Sequence, residues 1–323
     1  MTLTGYLAPV ELENELAREL QRAGVGIEAR YDRLFLSTDP AVDARWAANI
    51  WHDAQWIPIT SIGHGARELR AIQRNWAMFA PLHPGRSRLI SEKLPHVATR
   101  RLPIGASAPS APLGSWMLVE PTLMLAASRC SDPFPNGVPR LEEDRSGPPS
   151  RAYLKLYEAL SRAGRWPRTG ETCLDLGASP GGWSWLAAQT GAKVIAVDKA
   201  PLGPTVAALG NVSWRQGSAF ALDPRTMPHS DWLLSDIICY PGRLLGLVER
   251  WIAAGTARNI VCTIKFQGPT DHEIVERFAS IEHATVRHLH HNKHELTFSR
   301  LDPLPTSSDT LAIDGGGATR LRP

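Results

Sequence analysis

Residues 173–189 have the sequence CLDLGASPGGWSWLAAQ, in which an apolar run ends at an acid and small residues follow at once. The apolar run predicts a buried strand over 172–176, and the apolar residues behind the glycines predict a helix over 181–190. In an open parallel sheet, ligands bind beyond the carboxyl ends of the strands. The glycine-rich turn is therefore the first candidate binding loop of this protein.

Strands and helices alternate on both sides of this turn. The predicted elements around it cover residues 151–163, 193–197, 202–209 and 212–215, and the alternation continues to about residue 300. Such alternation predicts an α/β fold with a doubly wound, mostly parallel sheet. The last two apolar runs, ATVRHLHH and HELTFSR, are joined by a short turn, so we expect an antiparallel hairpin at the edge of that sheet.

The chain divides into four segments by composition and pattern. Residues 1–128 mix short strand-like and helical patterns, which predicts a small α+β domain. Residues 129–150 are irregular and proline-rich, and we interpret them as a linker. Residues 151–300 carry the alternating pattern. Residues 301–323 are rich in proline, glycine, serine and threonine, which predicts a disordered tail.

Helical and strand-like patterns can be placed within the first segment. The leucine spacing over 11–24 predicts one helix, and a second is expected near 66–80. The runs RLFLS, SWMLVEP and TLMLAASR predict strands. This part of the chain is therefore expected to begin as a β-α-β arrangement.

The composition is that of an ordinary globular protein. The 323 residues are 43% hydrophobic and 21% charged, with a formal net charge of +3, which allows a nucleic-acid partner without requiring one. No apolar run approaches the ~20 residues that span a bilayer, and the amphipathic start of the chain does not resemble a secretory signal. The four cysteines show no CxxC pairing, so we interpret them as reduced core residues and expect a cytoplasmic protein.

The glycine spacing and a second acid indicate the type of cofactor. Gly177, Gly181 and Gly182 form a GxxxGG pattern, whereas a dinucleotide pyrophosphate requires GxGxxG, so a hydride-transferring dehydrogenase is disfavoured. The next predicted strand ends at Asp198, where an acid is well placed to accept hydrogen bonds from two ribose hydroxyls. Together these features favour an adenosine-type cofactor without a pyrophosphate.

Four charged residues are predicted to meet at the same edge of the sheet. Asp236 and Lys265 each end an apolar strand. Lys155 lies on the helix before the glycine loop, and Glu295 lies in the final hairpin. An unpaired lysine is costly to bury, so each lysine needs a carboxylate neighbour. A Lys-Asp-Lys-Glu set at this edge satisfies both lysines and also makes a catalytic centre.

The order of these residues resembles the RrmJ/FtsJ-type ribose 2′-O-methyltransferases. The segments DPFPNGVPRLEEDRSGPPSRAYLKLYEA, DLGASPGGWSW, AVDKAPL, SDIICYPGR and TIKFQG are similar to the RlmM-type branch, whose members methylate a cytidine ribose in 23S ribosomal RNA. The resemblance covers residues 130–300 well, and residues 1–128 match only loosely the family's THUMP-like RNA-binding part. It implies a Rossmann-like class I methyltransferase domain over 151–300, with S-adenosyl-L-methionine as cofactor and 23S ribosomal RNA as partner. We expect no membrane association, and we infer no obligatory protein partner.

The resemblance implies a cofactor role for matched positions in the glycine loop and after the following strands. These positions are Gly177, Ser179, Pro180, Gly181, Gly182, Trp183, Asp198, Ser218 and Asp236. Asp198 would bind the ribose of the cofactor. Ser218 stands where the family has an acid beside the adenine, and Ala152 stands where the family has a serine.

The resemblance also implies a role for each residue of the charged set. Methyl transfer to a ribose hydroxyl requires in-line alignment and removal of the hydroxyl proton. Lys265 is the candidate base. Asp236 would orient Lys265 and face the cofactor, while Lys155 and Glu295 would position the hydroxyl and the lysine.

A cluster of histidines near the last hairpin allows two functional interpretations, a metal site or a contact with RNA phosphate. Its members are His288, His290, His291 and His294. No cysteine or carboxylate pattern completes a metal site around them, so we expect no metal. Together with Lys293, these histidines could contact RNA phosphate instead.

Two features of the first segment also have two interpretations each. The stretch HPGRSRLISEKLPHVATRR, residues 83–101, is either a surface for a nucleic-acid backbone or an ordinary solvated basic face. The basic residues that would form this surface are Arg86, Arg88, Lys93, Arg100 and Arg101. Trp46, Trp51 and Trp56 do not share one helical face, and core packing explains them better than stacking on bases.

Two other functions compete with ribose methylation. An amino-methyltransferase requires a D/N-P-P-aromatic motif to bind an exocyclic amine, and SDIICYP lacks it. A methyltransferase-fold RNA-binding or ribosome-assembly factor with little or no activity is the remaining alternative. The intact Lys-Asp-Lys-Glu set argues against that alternative.

Overall fold

The computed structural model of the chain describes residues 3–97 and 100–303. The predicted disordered tail therefore lies outside the described residues, except for positions 301–303. No helix in the described part combines the length and apolar character that crossing a bilayer requires. The described residues form two sheets, one from residues 3–130 and one from residues 172–300.

Within the described part of the chain, the first sheet has eight strands, and three helices connect or flank them. The strands are β1 (Leu3–Leu7), β2 (Ala29–Tyr31), β3 (Leu34–Ser37), β4 (Asn49–Pro58), β5 (Trp76–Met78), β6 (Gly114–Glu120), β7 (Leu123–Ala127) and β8 (Arg129–Cys130). The helices are α1 (Glu13–Arg22), α2 (Ile62–Ile72) and α3 (Pro84–Ser91). The strand order is β2-β3-β1-β4-β7-β6-β5, and β8 also pairs with β4.

Residues 3–130, which form the first sheet and its helices, are called the first region. Helix α2 of this region ends earlier than the sequence pattern predicts. Gln73 is extended, and the Trp76 indole N–H donates hydrogen bonds to the carbonyl oxygens of Leu69 and Gln73. The chain then forms β5, which pairs parallel to β6. The helix expected over 66–80 is therefore wrong beyond Ile72, because burying Trp76 in the sheet outweighs continuation of the helix.

The tryptophans and cysteines lie largely in the core. Trp46 and Trp51 are 1% and 0% exposed, which confirms core packing for both, whereas Trp56 is 39% exposed on β4. All four cysteines are free, and three of them are buried. Cys130 is only half-buried, so the core interpretation holds for the other three.

The second sheet follows a packed connecting segment. Its helices are α4 (Tyr153–Ala163), α5 (Gly182–Gln189), α6 (Pro204–Ala207), α7 (Pro241–Ala254) and α8 (His272–Ala279). Its strands are β9 (Thr172–Leu176), β10 (Lys193–Asp198), β11 (Val212–Gln216), β12 (Ser230–Ser235), β13 (Ala257–Lys265), β14 (Ala284–Arg287) and β15 (Glu295–Arg300). Within the described residues the strand order is β11-β10-β9-β12-β13-β15-β14.

The strand order reverses between β9 and β12. From β9 the sheet grows through β10 to β11, and the chain then returns to the other side of β9 to form β12 and β13. These five strands pair parallel to one another, and β15 pairs antiparallel to β13 and to β14. The predicted doubly wound, mostly parallel sheet with an antiparallel hairpin at its edge is confirmed, and its reversal is the usual place for a ligand.

The connection inside the hairpin differs from the short turn expected. β14 ends at Arg287 and β15 begins at Glu295, so residues 288–294 join them. The backbone N–H of His288 donates a 2.7 Å hydrogen bond to the carbonyl oxygen of Arg45 instead of extending the sheet. The connection is therefore held against the first region of the chain.

Helices cover both faces of the second sheet. On one face, α4 and α5 bury Tyr153 and Trp185. On the other face, α7 buries Trp251 in a second cluster, and that cluster continues into the first region through Leu16 and Trp46. The two sheets therefore share a hydrophobic core.

The segment interpreted as a linker packs along the junction of the two sheets. It contains a 3₁₀ turn, Pro135–Gly137, and buries Asp132, Phe134 and Leu141. These buried residues show that the segment packs against the rest of the protein at several positions. The boundaries of the predicted domains and linker stay predictions.

Candidate active site

The four charged residues of the predicted set lie together at the carboxyl ends of the parallel strands in the second sheet. Lys265 ends β13 and Glu295 begins β15, and the two are directly opposite in the antiparallel ladder. Asp236 directly follows β12, and Lys155 projects from α4. The topology thus brings together residues that are up to 140 positions apart in the chain.

Short contacts join all four side chains. Lys155 Nζ lies 2.6 Å from Glu295 Oε1 and 3.3 Å from Asp236 Oδ1. Lys265 Nζ lies 3.0 Å from the same Asp236 oxygen and donates a hydrogen bond to the Asp236 carbonyl oxygen. The side chains are only 7–17% exposed. Two ammonium groups and two carboxylates therefore balance one another in a largely desolvated cluster.

A cleft of about 470 Å³ opens beside this cluster. It extends from Asp198 at the end of β10 to Asp236 and Lys265. Gly177, Ser179, Ser218 and Phe220 are among the other residues that line it. Of the positions predicted to bind a cofactor, Gly177, Ser179, Asp198, Ser218 and Asp236 line this cleft.

The acid after the second strand is held in one orientation. Asp198 Oδ2 accepts a 3.0 Å hydrogen bond from the Ser179 backbone N–H, and Oδ1 accepts one of 2.9 Å from the Ala200 N–H. The carboxylate keeps further lone pairs for a ligand in the cleft. It is therefore preorganised to accept hydroxyl donors.

Gly177 permits the close approach of two loops at the point where the strand order reverses. Its φ is +74°, and a Cβ atom there would lie 2.8 Å from Ile237 Cβ. A side chain at this position would be strained in its backbone and would also push the loop after β12 away. The glycine thus keeps the cleft floor narrow between β9 and β12.

The remaining loop positions lie around a smaller pocket of about 70 Å³. Pro180, Gly182 and Trp183 line it. Trp183 is buried, and its indole N–H donates a 3.0 Å hydrogen bond to the Ala152 carbonyl oxygen. Gly181 lies immediately before α5, with a φ of +109°. The structure therefore places these four predicted residues around the start of α5 rather than along the larger cleft.

Asp175 is a candidate functional residue to which the sequence assigned no role. It lines the small pocket and is 1% exposed. The Ser184 hydroxyl donates a 2.6 Å hydrogen bond to its Oδ2, whereas its Oδ1 has no hydrogen-bond partner among the described residues. Burial raises the pKa of Asp175 to about 7, against a smaller lowering by the Ser184 hydrogen bond. The sequence signal that could have identified Asp175 is its place as an acid at the end of a predicted buried strand, next to the glycine loop.

Two members of the histidine cluster, His288 and His291, have rings fixed by contacts within the fold. His288 is buried against Trp46, and burial lowers its pKa to about 4. His291 Nδ1 contacts Glu158 Oε2 at 2.7 Å. The suggestion of phosphate contact is wrong for His288, because its ring is enclosed by the first region. Among the described residues, no group of three or more His, Cys, Asp or Glu side chains could hold a metal ion.

The basic stretch over 83–101 forms α3 and the chain that follows it. Arg88, Lys93, Arg100 and Arg101 are exposed. The Arg86 guanidinium donates a 2.8 Å hydrogen bond to the Pro121 carbonyl oxygen. Both interpretations of this surface stay open as predictions.

The reversed strand order, the cleft at the reversal and the charged cluster define a Rossmann-like methyltransferase fold. Residues 148–285 match the model of the FtsJ-like methyltransferases. The fold expected from the sequence is confirmed, and the match agrees with the family resemblance of these residues.

Curated relatives carry a more specific name. The chain is 35% identical over 172 residues to the ribosomal RNA large subunit methyltransferase M of Halorhodospira halophila, covering 51% of this chain and 50% of that protein. It is 35% identical over 185 residues to the protein of the same name from Azoarcus sp., covering 52% and 50%. The chain spans about half the length of the curated relatives it matches.

Solved structures show only a distant likeness. One is Aeropyrum pernix fibrillarin in complex with natively bound S-adenosyl-L-methionine, with 15% sequence identity and a TM-score of 0.32. The match covers 42% of this chain and 69% of the fibrillarin chain.

Proposed function

We propose that the protein transfers the methyl group of S-adenosyl-L-methionine to a ribose 2′-hydroxyl of RNA. The observation that carries this proposal is the paired Lys155–Asp236–Lys265–Glu295 cluster at one end of the cleft. A desolvated cluster with a lysine amine at a cleft is suited to take a proton from a weakly acidic hydroxyl. The relatives named ribosomal RNA large subunit methyltransferase M support a large-subunit ribosomal RNA as substrate. The RlmM-type resemblance of the sequence adds cytidine as the proposed nucleoside. We place such a protein in the cytoplasm.

The residues present fit an S-adenosyl-L-methionine molecule. The Asp198 carboxylate would accept hydrogen bonds from its ribose hydroxyls, and Ser218 would lie toward its adenine. The unpartnered Asp175 Oδ1 would accept a hydrogen bond from its ammonium group. When bound, this cofactor supplies an electrophilic methyl group on a positively charged sulfur.

The charged cluster would align the hydroxyl and remove its proton. Lys155 and Glu295 would hold the ribose hydroxyl, and Lys265 Nζ would accept its proton. As the base, Lys265 would act as the neutral amine, because only that form has a lone pair that can accept the proton. Asp236 contacts both lysines and would keep Lys265 directed into the cleft.

A second candidate is an RNA-binding or ribosome-assembly factor that keeps the cofactor cleft without turnover. Ser218 favours it, because a hydroxyl stands at the cleft position where the resemblance places an acid. Both candidates predict cofactor binding. They differ in whether RNA becomes methylated.

The test is transfer of tritium from labelled S-adenosyl-L-methionine to unmodified 23S ribosomal RNA. We expect label in the RNA, and nuclease digestion should place it on a ribose 2′-oxygen. Label on a base would contradict ribose chemistry. Cofactor binding without transfer to either naked RNA or large-subunit particles would contradict the enzymatic proposal and favour the assembly factor.

Cofactor affinity is expected to rise with pH, by roughly tenfold between pH 5.5 and 7.5. The pKa of Asp175 is raised to about 7, so its carboxyl keeps a proton at the lower pH and is mostly charged at the higher pH. Only the charged form pairs with the ammonium group of the cofactor. Calorimetric titration with S-adenosylhomocysteine at both pH values measures the change.

The matched variant for this experiment is Asp175→Asn. The amide can still accept the Ser184 hydrogen bond but cannot ionise, so its affinity should not change between the two pH values. A raised pKa means that the charged form costs the folded state free energy as pH rises, so the variant should be at least as stable as wild type at pH 7.5. Equal wild-type affinity at both pH values contradicts the assignment of Asp175.

A further inference from the structure

We propose that Trp46, from the first region of the chain, is a positioning residue for Lys265 and Glu295. This inference rests on the proposed methyl transfer, because it concerns the same charged cluster. Trp46 lies between β3 and β4 and reaches the far edge of the second sheet.

The Trp46 side chain is buried and packs against three aromatic rings from the loops that flank β13 and β15. Its ring centroid lies 5.5 Å from that of His294 and 5.5 Å from that of His288, with both rings stacked on the indole. It lies 5.9 Å from the ring of Phe266, which itself lies 5.5 Å from the ring of His294. These distances are those of favourable ring pairs. We call these four residues the ring cluster.

The ring cluster directly adjoins two residues of the charged cluster. Phe266 follows Lys265, and His294 precedes Glu295. Lys265 and Glu295 are opposite each other in the ladder of β13 and β15. A change in the packing of the rings therefore shifts the backbone one residue away from each charged side chain. Because a 1 Å misplacement can cost ~100-fold in rate, packing at this distance affects the reaction.

The backbone that carries Trp46 is fixed from both sides. The Glu19 carboxylate on α1 accepts hydrogen bonds of 2.9 and 2.8 Å from the N–H groups of Arg45 and Trp46. The Arg45 guanidinium forms a 2.7 Å ion pair with Glu276 on α8. The Arg45 carbonyl oxygen accepts the hydrogen bond from the His288 N–H. The first region thus holds the indole in a defined place against the hairpin connection.

A purely structural role is the competing explanation, because any buried tryptophan stabilises a fold. Trp116 provides a matched comparison within the first sheet. It is also fully buried, and like Trp46 its indole N–H has no hydrogen-bond partner among the described residues. It packs in a separate hydrophobic cluster with residues of the first region. Substitution by phenylalanine therefore removes the same atoms at both sites and breaks no hydrogen bond.

The experiment compares Trp46→Phe with Trp116→Phe in the full chain. We expect both variants to unfold at lower denaturant concentration than wild type. We expect only Trp46→Phe to lower kcat for RNA methylation, by about 10- to 100-fold, with little change in the KM for either substrate. Equal kcat in the two variants, at a temperature where both are folded, overturns the proposal.

Two further measurements keep the result interpretable. His294→Ala removes a partly exposed ring of the cluster, so it should fold and should lower kcat in the same way. NMR of lysine labelled at Cε and Nζ reports the surroundings of Lys265 without turnover, and its signal should shift in Trp46→Phe but not in Trp116→Phe. If wild type methylates no RNA, the proposed function fails. Unchanged lysine signals in Trp46→Phe then overturn the positioning role separately.

Discussion

Lys265→Ala is expected to lower kcat for RNA methylation by about 10²- to 10⁴-fold, the usual contribution of a general base. The alanine removes the only amine of the cluster that both lines the cleft and contacts Asp236 at 3.0 Å. The adenosine end of the cleft, around Asp198, is unchanged, so cofactor affinity should change little. Single-turnover transfer of labelled methyl groups and calorimetric titration measure the two effects separately.

A second substitution separates proton transfer from charge. Lys265→Arg keeps a positive group that can pair with Asp236, but a guanidinium cannot give up its proton in proteins. We therefore expect Lys265→Arg to be nearly as inactive as Lys265→Ala. Lys193→Ala, an exposed lysine at the start of β10, serves as the control and should retain wild-type kcat. Substantial activity in Lys265→Arg would show that the residue acts by charge alone and is not the base.

Arg162→Ala is expected to lower the free energy of unfolding by about 3–5 kcal/mol, which is the cost of removing one partner from a buried ion pair. Arg162 on α4 contacts Asp132 and forms a 2.7 Å ion pair with Glu158, and both carboxylates are fully enclosed. Burial alone raises the pKa of Glu158, but the Arg162 guanidinium and the His291 hydrogen bond outweigh burial and hold that pKa below its ordinary value. Without Arg162, the buried carboxylates of Asp132 and Glu158 each lose a guanidinium in direct contact, although Asp132 keeps Arg287 at 3.1 Å.

Urea unfolding of Arg162→Ala and of Arg277→Ala measures this difference. Arg277 pairs with Glu249 at 3.0 Å, but both side chains are at least half exposed. Exposed pairs contribute about 0–1 kcal/mol, so the Arg277 variant should stay close to wild type. Similar losses in the two variants would contradict the idea that the Arg162 network holds α4 to the connecting segment.

The second sheet could be predicted closely from the sequence because its signals are local. The strand expected over 172–176 is β9 with the same bounds, since an apolar run ends there at an acid and a glycine. The convergence of the four charged residues was also predictable. Each lysine on a buried element requires a carboxylate, and the parallel topology leaves one edge at which they can meet.

The contacts between the two sheets could not be predicted in this way. Trp46 and Phe266 are 220 positions apart, and nothing local to either residue indicates the other. A histidine-rich run has the same composition whether it faces solvent or a tryptophan, so the burial of His288 was not visible. The sequence pattern predicts a helix through Trp76, because hydrophobic periodicity carries no information about the indole hydrogen bonds to Leu69 and Gln73 at the end of that helix.

The position of β15 also has a consequence for the order in which the protein assembles during synthesis. β14 and β13 are separated by β15, so β14 has no neighbour in the sheet until residues 295–300 have left the ribosome. The same six residues carry Glu295, the carboxylate nearest to Lys155. A nascent chain could therefore form the glycine loop and the cleft around Asp198 early, while the reacting end stays incomplete. Insertion of this late strand would complete the sheet and the charged cluster in a single step.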